Sequence, residues 1–378
     1  MQYAGLAVTS SQISESVALL QMEGTITAAA EDAVMGVLER ALSKGARSVI
    51  LDFSAVSGLD SGGVSLLVKL HVAARKRGAA LAAAGPSASV KDVFELTGLG
   101  EAIPAYENRS KALAAQGVDA VPTDPGSTER IEVALEPAGN VKRGDALQWA
   151  RPVQEMHVAK TPDSRSGLNV EGRRPVGPIR GFGQMWEKTY EFRSPDVRRT
   201  PAEVAATMKE NFVRFQPPQN HFYPSPAGIK AGETVLIVSS VMGVPIHTGV
   251  LVSYADDVSF TFVTPQGHPE SGWVTFRAFR EAEDTVCQIQ GLARANDPVY
   301  EIAFRLHGSK FQEQTWKHVL GSLANHLEVA STVTMRKRCI APNLQWSQAG
   351  NIRHNAQLWT LAYLLIWPFR RLARAFGR

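Results

Sequence analysis

Three consecutive residues, Asp60, Ser61 and Gly62, form the stretch of this chain whose residue types best fit a chemical role. The apolar, β-rich run at 49–53 predicts a buried strand, and an apolar-periodic run from Gly63 predicts a helix. Asp60 or Ser61 supplies the N-cap, because its side-chain oxygen can accept a hydrogen bond from an unpaired amide of the first turn. The pattern therefore predicts an exposed Ser61 hydroxyl at a helix N-terminus, where backbone amides and the helix dipole would stabilise an added phosphate.

This stretch resembles the defining motif of the STAS domain, the family of bacterial anti-sigma factor antagonists. The matching residues are Leu51-Asp52-Phe53-Ser54 at the strand end and Asp60-Ser61-Gly62 at the helix start. In that family a partner kinase phosphorylates the Ser that follows the Asp. The resemblance thus implies phosphorylation at Ser61 and partner binding through Asp60, Ser61 and Gly62. Gly62 departs from the second Ser or Thr of many members, which leaves Ser61 as the only hydroxyl of the Asp-Ser-Gly motif. A plain helix cap in a structural domain is the alternative.

Strands and helices alternate around this motif, which predicts a parallel-rich α/β domain over residues 1–116. The predicted elements are strands at 17–24, 49–53 and 81–85 and helices at 28–43, 63–77, 89–96 and 110–116. Gly24 matches the Leu-x-Gly that ends one strand of a STAS domain. Leu96-Thr97-Gly98-Leu99 matches the segment that precedes the last strand of that domain. The resemblance implies that the unphosphorylated domain binds a serine kinase that acts as an anti-sigma factor. A phosphate on Ser61 would disrupt that docking by like-charge repulsion beside Asp60.

Length and composition predict a two-domain globular protein. The chain has 378 residues, 44% of them apolar and 20% charged, which is too long for one ordinary domain and typical of packed cores. Cys287 and Cys339 lie far apart and form no metal-ligand pattern, so we predict no disulfide framework, no metal and a reducing cytoplasm. The first residues show no secretory signal pattern. A net charge of +4 does not indicate a nucleic acid partner, and no cofactor motif is present.

A Pro-, Gly- and Ser-rich stretch at 117–181 predicts a flexible linker before a second domain at 182–333. This domain begins with a strand from Trp186 and a helix at 201–215, and it ends with a long helix at 309–329. Between the helices the turn signals predict five strands, at 233–241, 246–254, 258–264, 273–279 and 285–293. This order resembles the START-like helix-grip fold, an α+β architecture with an antiparallel sheet and a long C-terminal helix. Gly267-His268-Pro269-Glu270-Ser271-Gly272 resembles a turn of one START-like family.

The START-like resemblance implies a cavity for a lipid or another hydrophobic small molecule. The candidate cavity residues are the aromatic side chains Phe260, Phe262, Trp273, Phe276 and Trp316. Aromatic residues of this kind are also ordinary core residues, so plain packing is the alternative. His268 and Glu270 share one turn and belong to the residue types used in acid–base catalysis. A hydrogen-bonded hairpin is the simpler interpretation of that pair.

The last part of the chain, residues 334–378, predicts a basic, aromatic tail. No acidic residue follows Glu328, whereas eight lysines and arginines do. The apolar run at 358–369 is too short to span a bilayer, but Trp359 and Tyr363 belong to residue types that favour membrane interfaces. We therefore expect residues 358–378 to make peripheral contact with the inner face of a membrane. A helix packed on an apolar protein surface is the alternative.

These features together predict a regulatory protein without enzymatic activity. A phosphorylatable Ser61 would control binding to an anti-sigma factor, a serine kinase or a scaffold protein. A hydrophobic ligand in the second domain would bias that binding, an expectation that rests on the fusion of the two domains. One rival hypothesis is an enzyme or lipid-binding protein in the second domain, with the STAS domain as its targeting module. Another makes both domains plain interaction modules.

Overall fold

The computed structural model describes residues 5–118, 128–134, 144–158, 167–241 and 244–376. The chain divides into two compact units. The first comprises the described residues up to Pro152 together with two short segments, Tyr254–Val258 and Phe279–Glu283, and the second comprises the remainder. Three parts of the predicted linker, at 119–127, 135–143 and 159–166, lie outside the described residues.

The first unit is built on a six-stranded sheet with helices. Its elements are β1 (Leu6–Gln12), β2 (Val17–Ile26), α1 (Glu31–Ser43), β3 (Ser48–Leu59), α2 (Ser61–Lys76), β4 (Ala80–Ala84), α3 (Ala88–Thr97), β5 (Ala105–Tyr106), α4 (Arg109–Ala114) and β6 (Glu129–Val133). The strand order is β5-β4-β3-β2-β1-β6. Strands β2 to β5 run parallel, and β1 pairs antiparallel with β2 and β6. The predicted parallel-rich α/β fold is therefore confirmed.

The strand that leads to the Asp-Ser-Gly motif lies in the core of this unit. Val49, Ile50 and Leu51 of β3 are fully buried, as expected for a central parallel strand covered on both faces. The strand is longer than the apolar run predicted, and it continues to Leu59. Helix α2 then begins directly at Ser61, which fixes the motif at the carboxyl end of β3.

Part of the stretch predicted as a flexible linker is ordered structure in the first unit. Strand β6 pairs with β1 along the edge of the sheet. Further along, the Trp149 ring N–H donates to the carbonyl oxygen of Leu59 at 2.7 Å, and the Leu59 amide donates to the carbonyl of Gly144 at 3.2 Å. Strand β6 is short and charged, with no buried residue, so its apolar pattern is too weak to separate a strand from a linker.

The second unit is built on a large antiparallel sheet. Its elements are β7 (Pro175–Val176), β8 (Met185–Ser194), α5 (Pro201–Asn211), β9 (Asn220–Pro224), β10 (Thr234–Val241), β11 (Val244–Ala255), β12 (Ser259–Pro265), β13 (Glu270–Glu281), β14 (Asp284–Ala295), α6 (Pro298–Ala303), α7 (Ser309–His326), β15 (Thr334–Ala341) and α8 (Ala356–Phe376). The order is β15-β8-β14-β13-β12-β11-β10-β9, and β7 pairs with β12. Helix α7 contacts β8 and β14. The predicted meander and long helix are confirmed.

Strand β15 corrects the prediction that the C-terminal tail starts at residue 334. This strand pairs with β8 at the edge of the sheet. Two of its basic side chains reach carboxylates on β8: Arg338 lies 2.7 Å from Glu187, and Arg336 lies 3.6 Å from Glu191. These positive charges are therefore matched across neighbouring strands, which is how a strongly basic segment is accommodated in a sheet.

Candidate functional site

The first candidate site is the start of α2. Asp60 is the N-cap, and its Oδ1 accepts a hydrogen bond from the amide of Gly63 at 2.8 Å. The predicted cap is confirmed, with Asp60 in that role and Ser61 as the first helical residue. Ser61 is only 4% exposed and Asp60 only 8%, so the prediction of an exposed Ser61 hydroxyl is wrong. The next residue, Gly62, lies against Ala28, so this end of the helix is closely packed.

Gly62 has a steric reason to differ from the second Ser or Thr of many STAS domains. A Cβ atom at Gly62 would lie 2.7 Å from the Cβ of Ala28 and 2.8 Å from its backbone nitrogen. A Cβ atom at Gly63 would lie 2.3 Å from the carbonyl oxygen of Ile26. Both glycines therefore let the first turn of α2 approach the end of β2 more closely than any side chain would allow.

A segment from the predicted linker lies beside this helix start. Gly144 adopts a left-handed conformation with φ of 72°, and a Cβ atom there would lie 2.4 Å from the amide nitrogen of Leu59. Trp149 is 9% exposed and its ring is bonded to the same residue. The segment Gly144–Trp149 thus packs on the last residue of β3, immediately before Asp60.

The strand part of the motif has a structural role. Asp52 is 2% exposed, and its Oδ1 accepts hydrogen bonds from the amide and the hydroxyl of Ser54 at 3.0 and 2.6 Å. Its Oδ2 accepts from the Arg109 guanidinium at 2.9 and 2.6 Å. This buried carboxylate therefore ties β3 to α4. The sequence motif identified Asp52, but nothing local pointed to Arg109, which lies 57 residues away.

The second candidate site is a cavity of about 380 Å³ inside the second unit, a volume typical of small-molecule sites. Three of the five predicted aromatic residues, Phe262, Trp273 and Trp316, line it. The other apolar lining residues come from the sheet, from α7 and from the turn before it: Phe222, Ile237, Ile246, Val250, Val274, Phe304 and Phe311.

Phe260 and Phe276 do not line the cavity, which corrects their assignment as ligand-binding residues. They are directly opposite each other on β12 and β13, and their rings stack with centroids 4.7 Å apart. Phe212 packs edge-on against both rings, at 5.8 and 5.2 Å. All three are at most 1% exposed, so they form solid core next to the cavity.

A polar group stands among the apolar lining. Lys188 Nζ donates a hydrogen bond to the Gln312 side-chain oxygen, and the Gln312 Nε2 donates to Glu270 Oε2 at 2.6 Å. Burial lowers the pKa of Lys188 and raises the pKa of Glu270, while the attraction between the two charges opposes both shifts. Sequence reasoning missed Lys188 and Gln312. Their only signal was the alternation of polar and apolar residues along β8 and the helical periodicity of α7. Neither pattern indicates which face lines a cavity.

His268 and Glu270 both line the cavity, but their side chains are bonded elsewhere. His268 Nδ1 lies 3.1 Å from the amide nitrogen of Glu270, which donates to it, and the Glu270 carboxylate is held by Gln312. Burial lowers the pKa of His268 to about 4, so the ring is neutral near pH 7. The turn is anchored next to them, because the Ser271 hydroxyl donates to Asn296 Oδ1 at 2.9 Å. The hydrogen-bonded hairpin is therefore present.

The apolar run of the C-terminal tail forms part of α8. The helix start is held in the second unit, because Asn169 donates to the carbonyl of Ala356 at 3.1 Å and the His247 amide donates to the Thr360 hydroxyl at 3.2 Å. The outward face is exposed and apolar, and it consists of Leu358, Trp359, Leu361, Leu364, Leu365 and Ile366. Across the described residues no helix is long and apolar enough to cross a membrane.

The cysteines are both free thiols, with Cys287 buried and Cys339 half-buried. Burial raises the pKa of Cys287 to about 12, so its thiol is protonated near pH 7. Within the ranges that the structure covers, no group of three His, Cys, Asp or Glu side chains is placed to hold a metal ion.

The comparison with known proteins finds a family match within the first unit. The STAS domain family matches residues 9–112. The phosphorylated form of the Bacillus cell fate determinant SpoIIAA is 17% identical over 29% of this chain and 98% of its own, with a TM-score of 0.26. An anti-sigma factor antagonist from Mycobacterium paratuberculosis is 24% identical over 29% of this chain and 92% of its own, with a TM-score of 0.24.

For the remainder of the chain, a START superfamily protein from Mycobacterium smegmatis is 15% identical over 38% of this chain and 99% of its own, with a TM-score of 0.29. The comparison with curated proteins found no match. The sheet order and the long helix α7 are those expected for a helix-grip fold. Residues 9–112 of this chain thus match the STAS domain family, and the second unit has the antiparallel sheet and long helix described above.

Proposed function

We propose that this protein is a regulatory switch whose STAS domain binds a protein partner, either an anti-sigma factor or a serine kinase, and releases it when Ser61 is phosphorylated. The observation that carries the proposal is the position of Ser61, the first residue of an Asp-capped helix within a STAS domain. A phosphate there would carry a charge of about −1.5 to −2 beside the Asp60 carboxylate. That charge would repel an acidic docking surface, would lose its hydration against an apolar one, and would be stabilised locally by the helix N-terminus.

The burial of Ser61 adds a requirement to this switch. A kinase needs access to the hydroxyl, which is 4% exposed. We propose that release of the segment Gly144–Trp149, which packs on Leu59 two residues before Ser61, gives a kinase access to the helix start. In the unphosphorylated state the start of α2 would then be covered and the Ser61 hydroxyl inaccessible to a kinase.

Phosphopeptide mapping of protein isolated from its own cells tests the switch. We expect one phosphate on the peptide that contains Ser61, and none in the Ser61→Ala variant. Ser65→Ala is the matched control, because Ser65 is also buried and lies one turn further along α2. A phosphate that persists in Ser61→Ala, or that is lost in Ser65→Ala alone, contradicts the assignment.

We further propose that the START-like domain binds a hydrophobic small molecule or lipid, and that occupancy of the cavity biases how the STAS domain meets its partner. The mainly apolar cavity of about 380 Å³ supports the binding part. Solvent extraction of the purified protein followed by mass spectrometry should identify a bound molecule. The affinity of a captured partner should then differ between the delipidated and the loaded protein, and equal affinities would refute the coupling.

A second candidate, an enzyme in the START-like domain, is favoured by one observation: His268 and Glu270 both face the cavity. Binding is the function we prefer, because the carboxylate and the imidazole bond to Gln312 and to backbone rather than to each other. Incubating the extracted molecule with the protein distinguishes the two. Recovery of the unchanged molecule supports binding, whereas conversion that His268→Gln abolishes supports the enzyme.

We also propose that the protein is cytoplasmic and contacts the inner face of a membrane through α8. The apolar outward face of the helix and the basic residues at its end in the sequence support this. Sedimentation with anionic liposomes tests the idea: Leu365→Glu, at a position 73% exposed, should reduce binding. Ile302→Glu, at an apolar position on α6 that is 60% exposed, is the matched control. Equal loss in both variants, or in neither, contradicts the contact.

A further inference from the structure

Two hydrogen-bond donors, Lys188 and Tyr190, stand side by side in the cavity of the second unit. They lie two positions apart on β8, so both side chains point to the same face of the sheet, and both line the cavity. Tyr190 is 1% exposed, and its hydroxyl has no hydrogen-bond partner among the residues that the structure describes. A buried hydroxyl without a partner is costly, and an oxygen atom of a ligand would satisfy it.

Lys188 has spare donor capacity at the same place. An ammonium group has three donors, and the hydrogen bond formed by Lys188 goes to the neutral side-chain oxygen of Gln312. The nearby carboxylate of Glu270 is itself bonded to Gln312, so the amide stands between the two charges. Burial lowers the pKa of Lys188, because the cavity solvates its charge poorly. An anion placed at Nζ would supply the missing solvation.

The charged residues around the cavity point the same way. Its lining contains four cations, Lys188, Lys337, Arg294 and Arg305, and two anions, Glu270 and Glu301. Arg305 is paired with Glu301 at 2.8 Å. The lining therefore has an excess of two positive charges, which attracts an anionic ligand and repels a cationic one.

We infer that the cavity takes a hydrophobic monocarboxylate, with its carboxylate bound by Lys188 and Tyr190 and its apolar body along Phe262, its cross-strand neighbour Val274 and Trp316. This inference rests on the proposed ligand-binding function of the START-like domain and names the class of ligand. A carboxylate fits because it is acceptor-only and has two oxygens, one for the ammonium and one for the phenol hydroxyl. The aromatic side chains provide the apolar surface that a hydrocarbon body needs.

Isothermal titration calorimetry on the delipidated full-length protein tests this with two probes of equal chain length, decanoate and decanol. We expect decanoate to bind at least tenfold more tightly than decanol. Lys188→Met, which keeps the length of the side chain and removes its charge, should weaken decanoate at least tenfold and change decanol less than twofold. Tyr190→Phe should weaken decanoate about threefold. Lys230→Met is the matched control: Lys230 is an exposed lysine of the second unit that does not line the cavity, so this change should alter neither probe.

The outcomes separate this inference from the proposed function on which it rests. Equal affinities of decanoate and decanol, or full decanoate affinity in Lys188→Met, overturn the carboxylate site but leave a ligand-binding cavity in place. Binding of neither probe by protein that still unfolds cooperatively overturns both. If Lys188→Met does not fold, Tyr190→Phe decides, because it removes one oxygen from the buried site. Unchanged decanoate affinity in that variant also refutes the site.

Discussion

The close packing of Gly62 against Ala28 makes the first site sensitive to a single substitution. Gly62→Ser would introduce the hydroxyl residue that many STAS domains carry there. Its Cβ would lie 2.7 Å from the Cβ of Ala28 and 2.8 Å from the backbone nitrogen, and backbone cannot turn aside as a flexible side chain can. Overpacking of this kind costs about 1–3 kcal/mol, while replacing a helical glycine by serine returns at most about 0.5 kcal/mol. We expect a net loss of about 1–2 kcal/mol in the free energy of opening of α2.

Hydrogen exchange of the peptides that cover α2, read by mass spectrometry, measures this free energy locally in the full-length protein. Gly321→Ser is the matched control: Gly321 lies inside α7, and a Cβ atom there meets nothing within 4 Å. The control should leave α7 as protected as before or slightly more protected. Unchanged or increased protection of α2 in Gly62→Ser would refute the steric explanation for the glycine.

Three further predictions concern buried groups. Asp52→Asn should lower the stability of the first unit by about 2 kcal/mol, because the Arg109 guanidinium loses its charged acceptor. Urea unfolding measures this loss, and a variant as stable as the wild type would contradict it. Iodoacetamide at pH 8 should label Cys339 and not Cys287, because burial raises the pKa of the Cys287 thiol to about 12. Peptide mapping reads the labelled sites, and labelling of Cys287 in the folded protein would contradict its burial. His268 has its pKa lowered from 6.5 to about 4, so the unfolded state binds more protons between those pH values. Stability should therefore fall by up to about 3 kcal/mol as pH falls through that window, and urea unfolding of His268→Gln should lack this component.

The elements that the sequence predicted well are those whose signals are local. The apolar run at 49–53, the cap at Asp60 and the periodicity of α2 lie within about thirty residues, and each can be recognised from neighbouring residues in the sequence. Strand β15 was missed for the opposite reason. Its basic residues are stabilised by carboxylates on β8, and Arg338 and Glu187 are 151 residues apart in the chain. No local pattern encodes such a partner.

The candidate sites divide in the same way. The position of Ser61 followed from its motif, but its burial depends on Ala28 and on chain packing that the motif does not contain. The aromatic residues of the second domain were found, yet the sequence does not separate Phe260 and Phe276, which are core, from Phe262, which lines the cavity. Lys188 and its neighbours stayed unnoticed, because alternation along a strand places them on one face without saying what that face meets.

The central claim is that one chain joins a phosphorylatable STAS switch to a START-like ligand site. Native mass spectrometry of the full-length protein purified from its own cells reads both features in one spectrum. We expect a species heavier by one phosphate that the Ser61→Ala variant lacks. We also expect a bound hydrophobic carboxylate that leaves the protein on collisional activation. A spectrum with the bare chain mass under every growth condition, or a phosphate that remains in Ser61→Ala, would contradict this function.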